Sequence, residues 1–165
     1  MQGETPVAFQ IRRVVTGHDK HGRAVVKMDS VPASIAPMRP GVMACLAWTT
    51  DTIPADLSGD EDAGLKKVGT AHAGDTVFRV VEYQPGAAPR NHRTASIDYA
   101  VVMAGEIDME LDDGVVVKLK AGDILVQRGT IHNWVNRGSV PCVIAFVLID
   151  AKLPSFEGRQ IGTAG

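Results

Sequence analysis

Pro85-Gly86-Ala87-Ala88-Pro89-Arg90-Asn91-His92-Arg93-Thr94-Ala95-Ser96-Ile97-Asp98, followed by an apolar run that ends at Gly105, decides how this chain folds. A Pro/Gly turn opens the stretch, and one histidine and one carboxylate follow at even spacing. Along an unbroken strand, residues of equal parity face the same side, so positions 92, 94 and 98 turn toward one face. A second histidine stands in a similar setting, Gly129-Thr130-Ile131-His132-Asn133-Trp134-Val135-Asn136. Two imidazoles and a carboxylate on neighbouring strands make a facial metal site with open positions.

Outward from this stretch the strand signals are dense. Residues 77–83 and 98–104 are apolar runs, and Glu106-Ile107-Asp108-Met109-Glu110-Leu111 alternates charge with apolar side chains. That alternation demands one wet face and one buried face. Asp112-Asp113-Gly114 then suits a type I′ hairpin turn, with glycine where φ must be positive. Further strands are predicted over 115–119, 124–127, around Trp134 and Val135, and over 140–149, with Lys120-Ala121-Gly122-Asp123 as a turn. Upstream, 11–15 and 24–28 read as a hairpin across a long polar loop. The proline-punctuated segment 30–40 suits neither regular helix nor central strand, and 42–49 reads as a strand. Residues 51–69 are acidic with Gly, Pro and Ser, which predicts a loop with one short helical turn, placed as a flap over a pocket mouth. Short strands at regular spacing with almost no helical periodicity predict an all-β fold, an antiparallel β-barrel or jelly roll with additional N-terminal strands.

The length of 165 residues suits one domain able to bury roughly 70% of its unfolded surface. Within it, 1–75 supplies strands and a loop segment to the barrel and the dimer, 76–150 is the barrel core, and 151–165 is a tail on the surface or on a partner subunit. The hydrophobic fraction of 45%, charged fraction of 22% and net charge of −2 are those of a soluble globule. Its basic residues are scattered, so no nucleic-acid partner is expected. The longest apolar run, 142–149, is too short for a membrane-spanning helix. Cys45 and Cys142 sit far apart in apolar settings and read as buried, reduced thiols in a cytoplasmic protein. Met1-Gln2-Gly3-Glu4-Thr5-Pro6 has neither a basic nor an apolar signal region, so no signal peptide is expected.

Both histidine stretches resemble the two motifs of the cupin superfamily, in its small, single-domain RmlC-like type. The first family motif is G(X)5HXH(X)3-4E(X)6G, and Gly86, His92, Thr94, Asp98 and Gly105 keep all of its spacing. The second is G(X)5PXG(X)2H(X)3N, matched by Gly122, Gly129, His132 and Asn136. The proline is absent, Arg128 lies near its place, and the opening segment is one residue short. In metal-binding cupins the first motif's two histidines and glutamate join the second motif's histidine around one ion. Carried onto this chain, those positions are His92, Thr94, Asp98 and His132.

Three of the four are competent ligands, because a threonine hydroxyl is a poor one. The resemblance therefore implies a site for iron, zinc, manganese or nickel on His92, Asp98 and His132, with no nucleotide cofactor. Thr94 would bond a water or the substrate, and Asp98 reaches one methylene less far than glutamate. The same residues suit a metal-free pocket in which Asp98 fixes the tautomer of an imidazole. Arg90 and Arg128 are placed to meet an anionic substrate at the rim, and Trp134 to wall the pocket.

Two functions stay open on these residues. The first is a metal-dependent lyase, decarboxylase or dioxygenase acting on a small organic acid or oxygenated aromatic metabolite. The alternative is a metal-free isomerase-type or ligand-binding cupin. The resemblance also implies a homodimer, with residues 11–28 crossing onto the partner barrel and covering its open edge. His18 and His21 read as exposed loop histidines, and His72 as a solvated loop residue near a barrel mouth. Trp48 suits core or pocket wall, Arg93 and Tyr99 face away from the pocket, and Gln127 and Asn136 serve as turn and barrel hydrogen-bonders.

Overall fold

A computed structural model describes residues 9–69 and 73–165. Thirteen short strands and two 3-10 turns make up the regular structure among them. The strands are β1 (Arg13–His18), β2 (Ala24–Ser30), β3 (Ile35–Arg39), β4 (Val42–Thr50), β5 (Thr76–Tyr83), β6 (Ser96–Ala104) and β7 (Glu106–Glu110). They continue as β8 (Val116–Lys120), β9 (Ile124–Arg128), β10 (Asn133–Val135), β11 (Cys142–Asp150), β12 (Ser155–Phe156) and β13 (Arg159–Gln160). A six-stranded sheet in the order β3-β4-β5-β11-β6-β9 faces a three-stranded sheet β10-β7-β8, and all pairings are antiparallel. This is the jelly-roll arrangement expected from strand spacing.

The period-2 pattern explains what lies between the sheets. Val77, Val81 and Tyr83 on β5, Ala100 and Val102 on β6, Ile107 and Met109 on β7, and Ile144, Phe146 and Leu148 on β11 form one buried apolar cluster. Burying each large side chain of this kind is worth about 1.5–3 kcal/mol, so the cluster is the main source of stability. Charge takes the opposite parity on β7, where Asp108 and Glu110 meet Arg137.

Turn chemistry places the strands. Asp113 (φ 55°, ψ 28°) and Gly114 (φ 75°) both adopt positive φ, and the Val115 N–H donates to Asp112 O at 3.1 Å, as a type I′ connection requires. Gly105 has φ 73°, and a Cβ there would lie 2.4 Å from Pro141 O, so the last residue of the first motif must be glycine. Pro37 does lie in a strand, but β3 is a sheet edge, where a missing N–H costs no ladder bond.

The N-terminal hairpin β1–β2 forms its own two-stranded sheet. It is anchored to the same chain through Arg13, whose guanidinium donates to both Asp62 oxygens at 2.6 and 2.7 Å and to Ala47 O at 3.1 Å. Asp62 caps the single short turn of the acidic loop, Ala63–Leu65. The tail also returns to its own chain, where Ala164 pairs with Arg93 through two backbone hydrogen bonds. No helix among the described residues is long and apolar enough to cross a membrane.

Candidate functional site

The two motif histidines meet. His92 and His132 form an antiparallel bridge, each N–H donating to the other's carbonyl at 3.0 Å, and their rings meet at a tilt of 49° with centroids 4.2 Å apart. Each Nδ1 is held by a backbone carbonyl, Arg90 O for His92 and Thr130 O for His132, both at 3.0 Å. A carbonyl only accepts, so both Nδ1 atoms carry the proton and both Nε2 atoms keep a basic lone pair.

Gln127 also reaches His132 Nδ1 with its amide, while its Oε1 is buried without a partner. Turning that amide by 180° brings Oε1 against the Nδ1–H and satisfies both groups. Burial lowers the proton affinity of both rings, His132 to about 4, where repulsion from His92 adds to the effect. Both imidazoles are therefore neutral at neutral pH. His132 is 3% exposed and His92 is only partly buried, so His92 is the more accessible ring.

A second polar row runs along the start of β6. Thr94, Ser96 and Asp98 are all buried and of equal parity. The Thr94 and Ser96 hydroxyls lie 2.8 Å apart, and Ser96 Oγ donates to Asp98 Oδ1 at 2.5 Å. Burial raises the Asp98 pKa, against the lowering effects of the Ser96 hydrogen bond and the nearby Arg79 charge. Across the sheet Asp98 pairs directly with Gln127. Gln127 therefore touches His132 on one side and neighbours Asp98 on the other.

This geometry does not fit a single ion on His92, Asp98 and His132. Among the described residues no three His, Cys, Asp or Glu side chains converge to hold one. The reason is visible in the hydrogen bonds. Asp98, short by one methylene, is engaged by Ser96. Thr94, at the place of the family's second histidine, is spent on Ser96.

The remaining sequence candidates are placed as follows. Arg90 is partly buried, with its guanidinium bonded to Gly165 O at 3.3 Å and its N–H to Asn133 Oδ1. Arg128 is exposed at the end of β9. Trp134 is 2% exposed and belongs to the core, wedged among Tyr83, Phe146 and the edge of His132, rather than forming an open wall. Tyr99 faces outward as expected, and Arg93 extends to Gly162 O. His18 and His21 are exposed, and His72 lies outside the described residues. Asn136 bonds Tyr83 O and Val140 O in the barrel. Cys45 and Cys142 are buried and unbridged.

Sequence reasoning passed over Arg79. It shares the parity of Val77, Val81 and Tyr83 on β5 and so belongs to the interior face, with Leu46 and Phe146 as cross-strand neighbours. Its Nη2 donates to Gly69 O at 2.5 Å, and its Nε is buried with no partner. A charged residue in register with three buried apolar ones was the available signal. The same end of the barrel carries an open cleft of about 570 Å³ lined by Asp51, Lys66, Lys67, Val68, Ala73 and Asp75.

The cupin domain family, Cupin_2, matches residues 79–149. Phomopsin biosynthesis cluster protein C' of Diaporthe leptostromiformis is 37% identical over 96% of this chain and 88% of its own length. The cupin-domain-containing oxidoreductase fogC of Aspergillus ruber is 30% identical over 92% of this chain and 78% of its own. Among solved structures, an RmlC-like cupin from Shewanella frigidimarina superposes with a TM-score of 0.48 at 15% identity, covering 72% of this chain and 84% of that one. A jelly roll with both histidine motifs in place defines a class of small β-barrel proteins. This chain belongs to the cupin family.

Proposed function

We propose that this cupin is an enzyme that moves a proton within a small, oxygenated, acidic metabolite, with the neutral imidazole of His92 as the base. The observation that carries this reading is the close pair of tilted rings. Both are held neutral by burial, and both have Nδ1 tied to a carbonyl so that Nε2 is the basic atom. His92 Nε2 takes a proton from a carbon beside a carbonyl, and the C–H electron pair passes into the enolate. The imidazolium then returns the proton at a second atom, which is an isomerisation. His132 stays neutral beside the ring, whose orientation is set by the Nδ1–H bond to Arg90 O. Positioned proton transfer of this kind contributes about 10²–10⁴ in rate.

The oxidoreductase names of relatives such as fogC favour a second reading at the same base. There the enolate or phenolate formed at His92 gives two electrons to dioxygen and loses a second proton; that proton and the one held on His92 complete hydrogen peroxide, leaving the dehydrogenated product. The metal-dependent lyase, decarboxylase or dioxygenase expected from the sequence needs a third donor beside the two histidines, and the described residues do not bring one there.

The test is hydrogen exchange into pyruvate and levulinate in D2O, followed by NMR with EDTA present. Acceleration by the wild type, reduced at least about 10²-fold in His92→Asn, is the expected result. Exchange that appears only after loading a divalent metal overturns the proposal, as does a wild type that binds the acids and leaves their protons untouched. Oxygen uptake with peroxide release in the same assay selects the second reading.

A further inference from the structure

We propose that Arg79 is the anchor for a carboxylate or phenolate oxygen of the substrate, which makes it the residue that selects an acidic ligand. This deepens the proton-transfer reading and rests on the same interior.

The placement comes from strand register. Arg79 pairs with Leu46 on β4 and Phe146 on β11, and residues of its parity on β5 are core. Its guanidinium is thus carried on the face that also bears Asp98, two strands away beside Leu148. Among the described residues it has no carboxylate within ion-pair distance, although the ion pairs of this chain elsewhere join Arg12, Arg13, Arg23 and Arg137 to acidic partners. One hydrogen bond to Gly69 O engages Nη2, and the buried Nε has none.

An arginine carries five N–H donors in a planar fork that matches an oxyanion, and a buried N–H left unbonded is costly. Arg79 is half-buried, and leaving its buried Nε unbonded with no direct counter-charge is a cost in the empty fold that a bound carboxylate offsets. Asp98 does not fill that role directly. Its bonded oxygen is held by Ser96, and burial favours its protonated form. The neighbouring side chains, Leu46, Phe146 and Leu148, are apolar, so the carbon body of a small acid held at Arg79 would meet an apolar surface. Of the arginines first expected to meet an anion, Arg128 is exposed at a strand end, whereas Arg90, bonded to Gly165 O, is close enough for its positive charge to act on Arg79, His92 and His132 and adds to the anion-attracting field there.

The experiment titrates wild type and variants with benzoate and with benzamide, its uncharged isostere, reading tryptophan fluorescence and Tm. Wild type is expected to bind benzoate saturably and at least tenfold more tightly than benzamide. Arg79→Met is expected to remove that preference while its ligand-free Tm stays level or rises, because a half-buried charge with an unbonded Nε is gone. Arg79→Lys keeps the charge, loses the fork, and gives an intermediate affinity; it also serves if the methionine variant fails to fold.

The proposal is overturned if wild type shows no saturable benzoate binding, if benzoate and benzamide bind alike, or if both Arg79 variants retain the preference. His92→Asn separates this proposal from the catalytic one. It should keep benzoate binding while losing exchange. Exchange lost in His92→Asn with benzoate indifferent to Arg79 removes the anchor and leaves the base, and the converse removes the base and leaves the anchor.

Discussion

Acidification isolates His132, because the fold holds this ring neutral while the unfolded chain does not. Its pKa is about 4 in the folded protein against an ordinary value of 6.5. Between those values the unfolded state binds a proton that the folded state refuses, so stability falls as pH falls. The loss begins near pH 6.5 and levels off below about pH 4. At 1.36 kcal/mol per pH unit, the difference between neutrality and about pH 4.5 is about 2.5 kcal/mol. That is a large part of a typical net stability of about 5–15 kcal/mol.

Asp98 works in the opposite direction, since its raised pKa contributes stability at low pH that is lost as pH rises above 3.8. It is present in both proteins of the comparison and cancels. The assay is urea unfolding of wild type and His132→Gln at a series of pH values, accepted only where the m-value stays constant. Glutamine keeps hydrogen-bonding capacity and does not titrate. Wild type should lose about 2–3 kcal/mol more than the variant between neutrality and about pH 4.5. Parallel curves would refute the claim that burial keeps this imidazole neutral, and with it the basis for treating the pair as bases.

Two further outcomes follow from the fold. Gly105→Ala must place a Cβ 2.4 Å from Pro141 O at φ 73°, and should cost at least about 2 kcal/mol in urea unfolding, whereas Gly162→Ala, with open space around its Cβ position, should be close to neutral. Tyr99, Val101, Met103, Ile124 and Val126 leave an apolar strip on the outer face of β6 and the edge strand β9, so sedimentation velocity should give a dimer of the 17.5 kDa chain and Val126→Glu a monomer. A monomeric wild type at micromolar concentration would refute the pairing.

Much of the fold was legible because strand signals are local. The alternation of 106–111, the Asp112-Asp113-Gly114 turn and the glycine that ends the first motif each act within a few residues, and each appears where expected. Pro37 shows the limit of such reasoning. A proline excludes a central strand, but whether a segment becomes an edge strand depends on what pairs with it. The site was legible as a list of residues and less so as a geometry. The pairing of His92 with His132 follows from two motifs on adjacent segments. That Gln127 would pair with Asp98 and turn its amide to His132 depends on the register between β6 and β9, which neither segment encodes alone.

By itself the sequence determined the strand positions, the turns and the family spacing from Gly86 to Gly105, because periodicity and backbone stereochemistry are properties of short stretches. Only the tertiary structure decided which polar side chains meet. It separated Asp98 from the imidazoles, committed Thr94 to Ser96, buried Trp134 in the core, and set Arg79 on the inner face of β5. The physical reason is that alternation tells which side of a strand a residue takes, while convergence of donors depends on register between strands far apart in sequence, where one methylene changes the chemistry.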